Sequence, residues 1–350
     1  MNRDELIANI AGGEVISGVD LAGLDLSGAN LSGAVFEKTS LRGANLIGAK
    51  LKESSLVQCD LSGAKLARAN MHHTIVATCN LENAVLAEAY LASARFAESD
   101  LSFADFTGAN LIIAAVAKCG LAGAVLAKCN LDRTSIIESS SVANMSLAGA
   151  SLKQTVLMGA DLTNVVVTGA TFESAVLIGS KLAGMDLSKM RMPLTQMMGC
   201  DLSGAVLVEA NLTQCNFKDA DLTQAIFDKS DMERVLLIGA KAHLASFRGA
   251  KLTQSILNEA DLSGADFEGA VMDQCILHRA SCLGTRFSGA NLTYADFSNA
   301  DVSGSDFLKA TLTRARFHRT KEDRAIFGSR AAALGNDELL AEAEAWTPKY

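Results

Sequence analysis

The chain has 350 residues, 49% of them hydrophobic, but only 2 Pro, 1 Trp and 3 Tyr; so narrow a composition over this length is typical of a short repeated unit and argues against ordinary enzyme domains. Its 31 Lys and Arg against 39 Asp and Glu give a net charge of −8, which excludes a broad basic surface for phosphate backbones. Direct nucleic-acid binding is therefore not expected.

Residues 1–15 are predicted to form an N-terminal cap. The segment RDELIANI, residues 3–10, can form a short helix before Gly12 and Gly13. Asp4 and Glu5 stand where a signal peptide would carry basic residues, and the chain has no uncharged apolar run of about 18 residues. We therefore expect a cytoplasmic protein that does not engage a membrane.

An apolar residue returns every five positions from Leu21 to Ile136 and, after one extra residue, from Val142 to Phe317, which gives 60 repeated units. A small residue such as Ala29 stands two positions before each apolar centre. A period of five fits neither the helical period of 3.6 nor the strand period of two. Each unit is therefore predicted to be a very short strand followed by a corner.

Four such corners would close a square coil of 20 residues, so inward side chains 20 positions apart should stack. The phenylalanines have this spacing on one wall and on the wall opposite: Phe227, Phe247, Phe267, Phe287, Phe307 and Phe327, then Phe217, Phe297 and Phe317. Glycine often stands two residues after a centre, as at Gly204, where a turn with positive φ would favour it.

Units such as ANLSG, ADLSG and ADFSN resemble the A(D/N)LxG motif of the pentapeptide-repeat family, over roughly residues 16–327. The resemblance implies an all-β fold, a right-handed quadrilateral parallel β-helix of about 15 coils of 20 residues with short terminal helices. We predict one such domain over 16–327. The first thirty residues also resemble the openings of members associated with bacterial type VI secretion, which would imply an accessory or adaptor role.

Two irregularities interrupt the predicted domain. The extra residue predicts a bulge near 137–141, centred on Ser139–Ser141. A Met-rich stretch predicts an irregular coil near 189–198, where Met190 replaces the small inward residue and Pro193 lacks a backbone donor. The stretch could be a kink, and flexible Met side chains filling an uneven core are a simpler interpretation than a ligand site.

Residues 328–350 are predicted to form a C-terminal helical cap or a dimerisation segment. Asn336 is the expected N-cap, and Leu339, Leu340, Ala343 and Trp346 would share one apolar face. Covering the last coil is the simpler role, whereas the family resemblance implies a homodimer through such a helix.

The residue pattern predicts no catalytic, metal or cofactor site, so the protein is not expected to be an enzyme. A convex rod offers no cleft in which a nucleophile and a base converge. The five histidines fall at outward positions without three converging ligands. All eight cysteines are expected to point inward and stay reduced, and they are Cys59, Cys79, Cys119, Cys129, Cys200, Cys215, Cys275 and Cys282.

Function is therefore expected on outward positions. One wall carries apolar residues there, and we predict that it binds a protein partner of unknown identity or a second copy. Its members are Val156, Met158, Val176, Ile178, Met198, Leu236, Ile238, Ile256 and Ile276, with a weaker continuation through Val35, Val57, Ile75 and Ile137. A separate acidic patch, predicted for a basic partner, consists of Glu259, Asp261, Asp266, Glu268 and Asp273.

These features favour a non-catalytic interaction scaffold or adaptor, with accessory action in type VI secretion as a narrower version. The alternative follows from quinolone-resistance members of the family, which resemble duplex DNA and bind DNA gyrase. A duplex as long as the predicted rod would carry on the order of 40 charges, whereas this chain has a net charge of −8. Charge therefore argues against a simple DNA mimic, although local acidic patches could still serve.

Overall fold

In the computed structural model the chain forms two compact units, residues 1–180 and residues 181–350, and the structure describes residues 1–139 and 141–346. Each unit is a parallel β-solenoid, and the two contain about 16 turns in all. The predicted parallel β-helix is confirmed. The prediction of one domain over 16–327 differs from this division, because the period of five continues unchanged past residue 180 and gives no signal for a boundary.

The first unit begins with helix α1 (Arg3–Ala11), close to the predicted 3–10. Asn2 Oδ1 accepts a hydrogen bond from the Glu5 N–H, and Glu5 Oε2 accepts one from the Asn2 N–H, both at 2.9 Å. This reciprocal pair is a capping box. Leu6 is fully buried, so the helix covers the first coil as the cap prediction requires.

Seven short parallel strands follow on one wall of the first unit, in the order β1 to β7, with partners 20 residues apart. They are β1 (Val15–Ser17), β2 (Val35–Glu37), β3 (Ser55–Val57), β4 (Ile75–Ala77), β5 (Arg95–Ala97), β6 (Ala115–Ala117) and β7 (Ser135–Ile137).

The repeat folds as it does because backbone hydrogen bonds join each coil to the next. Each centre donates its N–H forward, as from Leu26 to the Asn45 carbonyl at 2.7 Å. The residue before the centre donates backward, as from Asn45 to the Leu24 carbonyl at 2.9 Å. The small residue and the centre then point inward, and Ala44 and Leu46 are at most 1% exposed. The solenoid thereby satisfies its interior backbone groups.

The Asp or Asn of the motif has a specific task. On the turn walls, the N–H of the residue after the centre takes no part in the bonding between coils, and the Asp or Asn before the centre accepts it. The Ser62 N–H donates to Asp60 Oδ1 at 2.9 Å, and the Ser27 N–H donates to Asp25 Oδ1 at 3.0 Å. The expected turn-stabilising role of these residues is therefore confirmed.

The corners have positive φ whether or not glycine occupies them. Among the described residues 24 glycines and 38 other residues have positive φ, almost all of them at corner positions. Even Ile113 has φ of 60°, although a β-branched side chain strongly disfavours this conformation. The bonding between coils therefore imposes the corner, and glycine only relieves its cost.

The predicted bulge is seen as a change of register. Ala117 pairs with Ile137, 20 residues on, whereas Gly120 pairs with Ser141, 21 residues on. The extra residue is thus accommodated between Ile137 and Ser141. Ser140, in the middle of the predicted bulge, lies outside the described residues.

The second unit continues the same pairing at intervals of 20, from Lys181 with Asp201 onward, and includes strands β8 (Asp306–Phe307) and β9 (Ile326–Phe327). The predicted phenylalanine columns are confirmed. The rings of Phe227 through Phe327 stack with centroids 4.6 to 5.4 Å apart, and Phe297 stacks on Phe317 at 5.1 Å.

The predicted irregular coil at 189–198 is wrong. Arg191 pairs with Asn211 and Gln196 with Asn216, so the spacing of 20 is kept, and Met190 is buried. Pro193 follows a centre, at the one position whose N–H the neighbouring coils do not use, so it removes no bond. The residue before the centre is correspondingly Arg191 rather than Asp or Asn, since no N–H needs an acceptor there.

The last coil is closed by a side chain rather than by the C-terminal helix. The Arg330 guanidinium lies 4.7 Å from the Phe317 ring centroid and 4.9 Å from that of Phe327, and it forms an ion pair with Glu322. Leu334 rejoins the coil beneath, where its N–H donates to the Ala315 carbonyl at 2.8 Å.

Helix α2 (Glu338–Ala345) follows, and it buries none of its residues. Its N-cap is Asp337, whose carboxylate accepts from the Leu340 N–H at 3.0 Å. The predicted N-cap, Asn336, accepts instead from the Arg319 N–H at 3.3 Å. Leu339 and Trp346, on the predicted apolar face, are more than 70% exposed, so α2 does not cover the last coil with that face.

Candidate interaction surface

The nine residues predicted to bind a partner are called the apolar wall here, and four of them lie in the first unit. Val156 pairs with Ser135 of β7 and with Val176, so these residues continue the wall that carries β1 to β7. Val156, Val176 and Ile178 are half-buried by their neighbours, and Met158 is exposed. The first unit thus presents an outward apolar cluster on this wall.

The weaker continuation of the apolar wall also lies where it was predicted. Val35, Val57, Ile75 and Ile137 are outward members of β2, β3, β4 and β7. The register of the sheet places them on the wall that also carries Val156. Residues between them, such as Arg95 and Ser135, are polar, so the continuation is interrupted.

In the second unit the apolar wall has an unbroken column. Leu236 pairs with Ile256, and Ile256 pairs with Ile276, so the three outward side chains lie on successive coils. Ile238 stands beside this column on the coil of Leu236, and Met198 lies two coils before it. All five apolar members in this unit are half-buried.

Polar groups bound this column at both ends. At one end Asn216 Nδ2 donates to Gln196 Oε1 at 3.2 Å. At the other end His278 Nε2 lies 3.0 Å and Arg316 Nη1 lies 3.4 Å from Asp296 Oδ2. Partial burial acts to raise the pKa of Asp296, but hydrogen bonds from Ser298 and His278 outweigh it and the pKa is lowered. The rim therefore carries a stable carboxylate.

The predicted acidic patch is not a free acidic surface. Arg248 Nη1 lies 2.8 Å from Asp266 Oδ2, and Arg286 approaches both Asp266 and Glu268 within 3.6 Å. Glu259 likewise lies 3.6 Å from Arg279. Asp261 and Asp273 accept hydrogen bonds from Ser263 and Thr253. The stretch lacks basic residues in sequence, but arginines 18 to 20 positions away lie on the adjacent coils.

The groups that could carry chemistry are packed or dispersed. All eight cysteines are buried free thiols, and burial raises the pKa of Cys129, Cys215 and Cys275 to about 12. Within residues 1–139 and 141–346 no three His, Cys, Asp or Glu side chains are arranged to hold a metal ion. No helix in that part of the chain is long and apolar enough to cross a bilayer.

A column of thiols and hydroxyls inside the first unit was not predicted to do more than pack. Cys79 Sγ accepts from the Cys59 N–H at 3.3 Å, and Ser99 Oγ accepts from the Cys79 N–H at 3.1 Å. Thr39 Oγ1 donates to the Ile16 carbonyl at 3.0 Å. These side chains replace backbone partners at one corner, and their spacing of 20 was the available sequence signal.

The docking of α2 was also missed from the sequence. His318 is 1% exposed, accepts from the Asp337 N–H at 3.1 Å through Nδ1, and lies 3.3 Å from Glu344 Oε2 through Nε2. Arg319 reaches the same carboxylate at 2.9 Å. Beside these contacts is a polar groove of about 310 Å³ that includes His278, Arg279 and Arg316.

Comparison with known proteins agrees with this geometry. A family model described as pentapeptide repeats matches well over half of the chain, at residues 16–53, 44–76, 77–111, 141–173, 156–192, 195–233, 215–254, 255–293 and 290–321. The chain belongs to the pentapeptide-repeat family. The resemblance of the repeated units to this family is thereby confirmed. No curated protein matches the chain significantly.

Solved pentapeptide-repeat structures are similar at low identity. Rfr23 from the cyanobacterium Cyanothece 51142 is 24% identical over 28% of this chain, which spans 63% of that protein, with a TM-score of 0.24. HetL from Nostoc sp. strain PCC 7120 is 23% identical over 90% of this chain and 96% of its own, with a TM-score of 0.18. QnrB1, a plasmid-mediated fluoroquinolone resistance protein, is 23% identical over 56% and 97%, with a TM-score of 0.31.

Proposed function

We propose that this pentapeptide-repeat protein is a non-catalytic scaffold that binds another protein through the apolar wall. The observation that carries the proposal is the unbroken outward column of Leu236, Ile256 and Ile276. A polar residue at any of these positions would cost no core packing, because the inward positions of the same coils are filled by other residues. Contiguous outward apolar side chains commonly mark a protein interface.

The chemistry of the partner follows from the rim. An apolar ridge would cover the column, and polar groups would meet Asn216 at one end and His278, Asp296 and Arg316 at the other. An apolar centre within a polar rim is typical of protein interfaces. The first unit offers a second contact of the same kind at Val156 and Val176.

Affinity purification with quantitative mass spectrometry tests the proposal. Ile178→Asp and Ile238→Asp should leave the coils intact but reduce the recovery of specific partners, because each places a charge in the apolar contact. Val208→Asp is the matched control, since Val208 holds the position of Ile238 on the opposite wall and is also half-buried. Recovery that falls equally with Val208→Asp would contradict a site on the apolar wall.

A DNA-like action on gyrase has less support, because arginines from adjacent coils pair with the carboxylates of Asp266, Glu268 and Glu259. We therefore expect the purified protein to leave supercoiling by gyrase unchanged at low micromolar concentration, and a change would favour the alternative. Accessory action in type VI secretion stays a prediction, and it rests on the first thirty residues alone.

A further inference from the structure

A second outward cluster lies in the first unit on a wall next to the one that carries β1 to β7. It consists of His72, His73, Tyr90, Ile112 and Ile113, and we call it the aromatic patch. Bridges of Tyr90 with Asn70 and with Asn110 place its members on three successive coils. The rings of His72 and Tyr90 stack 5.6 Å apart and nearly parallel, and His73 packs edge-on against His72 at 4.1 Å.

The aromatic patch departs from an ordinary solvated wall in two ways. Ala92, at an outward position in its middle, is only 4% exposed, while Tyr90 and Ile113 remain 43% and 53% exposed. Ile113 also keeps a β-branched side chain at φ of 60°, where Gly or Asn would be cheaper. Desolvation lowers the pKa of His72, so this ring is neutral near pH 7 and suits an apolar contact.

The charges around the aromatic patch are arranged antisymmetrically. Lys52 and Glu53 lie one coil before it, and Asp132 and Arg133 hold the equivalent positions one coil after it. Tyr90 and Ala92 lie on the middle coil of these five. A two-fold axis through the middle coil, parallel to the strand direction, would reverse the order of coils and keep each position within a coil.

We propose that a second copy of this chain binds the aromatic patch in antiparallel orientation about that axis. Lys52 then faces Asp132 of the second copy, Glu53 faces Arg133, and His72 faces Ile112. Tyr90 meets its own counterpart on the axis. Every charge meets its opposite twice, which is the self-complementarity that a two-fold interface requires.

The rim charges are free to make these contacts. Lys52 lies 3.1 Å from Glu53, and both side chains are at least half exposed. Arg133 donates to Gln154 Oε1 at 3.1 Å on the exposed surface. Exposed pairs of this kind contribute little to stability, so redirecting them costs little. Five coils span only about 20 Å at about 4.8 Å per coil, so the interface is small and the dimer is weak and concentration-dependent.

Sedimentation equilibrium over a concentration series tests the charge pairing. The native chain should show a reversible monomer–dimer equilibrium. Glu53→Arg and Arg133→Glu should each weaken dimerisation at least tenfold, because each creates two like-charge contacts. The double variant should recover most of the loss. A native chain that stays monomeric to millimolar concentration, or a double variant no better than the singles, would overturn the proposal.

Cross-linking tests the position of the axis independently. Tyr90→Cys should form a covalent dimer with diamide, which takes up the two thiol hydrogens as one S–S bond forms between the copies. Val85→Cys is the control, because Val85 is an exposed apolar residue on the neighbouring wall of the same coil. Equal cross-linking of both variants would overturn the proposed axis, as would none for Tyr90→Cys where the native chain sediments as a dimer.

Discussion

A cysteine inside this solenoid is a hydrogen-bonding group as well as a packing group. The Cys59 N–H has Cys79 Sγ as its acceptor, since the backbone offers no partner at that corner. Cys79→Ala should lower the free energy of unfolding by about 1 to 3 kcal/mol, because a buried donor is left unsatisfied. Cys79→Ser, which keeps an acceptor, should cost less. Urea denaturation measures both, and equal losses would show that packing alone matters.

A corner residue bears the cost of positive φ. At Gly204, φ is 64° and an added Cβ would meet no atom within 4 Å, so a substitution there isolates the backbone term. Gly204→Val should destabilise the protein by about 1 to 2 kcal/mol, whereas Gly204→Asn should cost clearly less. Thermal unfolding distinguishes them. If Val and Asn behave alike, the bonds between coils must hold the corner at no cost to the side chain.

An aspartate before a centre makes the turn sensitive to acid. Hydrogen bonds from Ser303 lower the pKa of Asp301 below its ordinary 3.8. A carboxyl with a lowered folded pKa stabilises the fold above the unfolded pKa, and this contribution disappears as the pH falls through the folded value. Asp301→Asn keeps the acceptor but does not titrate. It should therefore lose less stability than the native chain between pH 5 and pH 2 in urea denaturation, and identical pH profiles would contradict this.

At the scale of elements, the end of the second unit is held by Arg330 and by the return of Leu334, not by α2. Removing residues 336–350 should therefore leave the melting temperature nearly unchanged, since no residue of α2 is buried. Arg330→Ala should lower it by several degrees, because the guanidinium covers the last phenylalanine rings and pairs with Glu322. A large loss on truncation with little effect of Arg330→Ala would return the capping role to α2.

At the scale of the whole molecule, the coil could be predicted because five residues carry its complete instruction. An inward pair, a turn and an Asp or Asn that caps it recur in each unit, so the phenylalanine columns followed from a spacing of 20. Docking of α2 on His318 could not be predicted, because it depends on the path of residues 328–337. The pairing of Asp266 with Arg248 needed the stacking of coils, and a linear scan for charge overlooked it.

The direct test of the central proposal is the affinity of a purified partner for the two matched variants, measured by calorimetry. Ile238→Asp should weaken binding at least tenfold, while Val208→Asp on the opposite wall should bind like the native chain. Both should keep the native melting temperature, because neither side chain fills the core. Native affinity for Ile238→Asp, with the fold intact, would contradict the assignment of the apolar wall as the partner-binding surface.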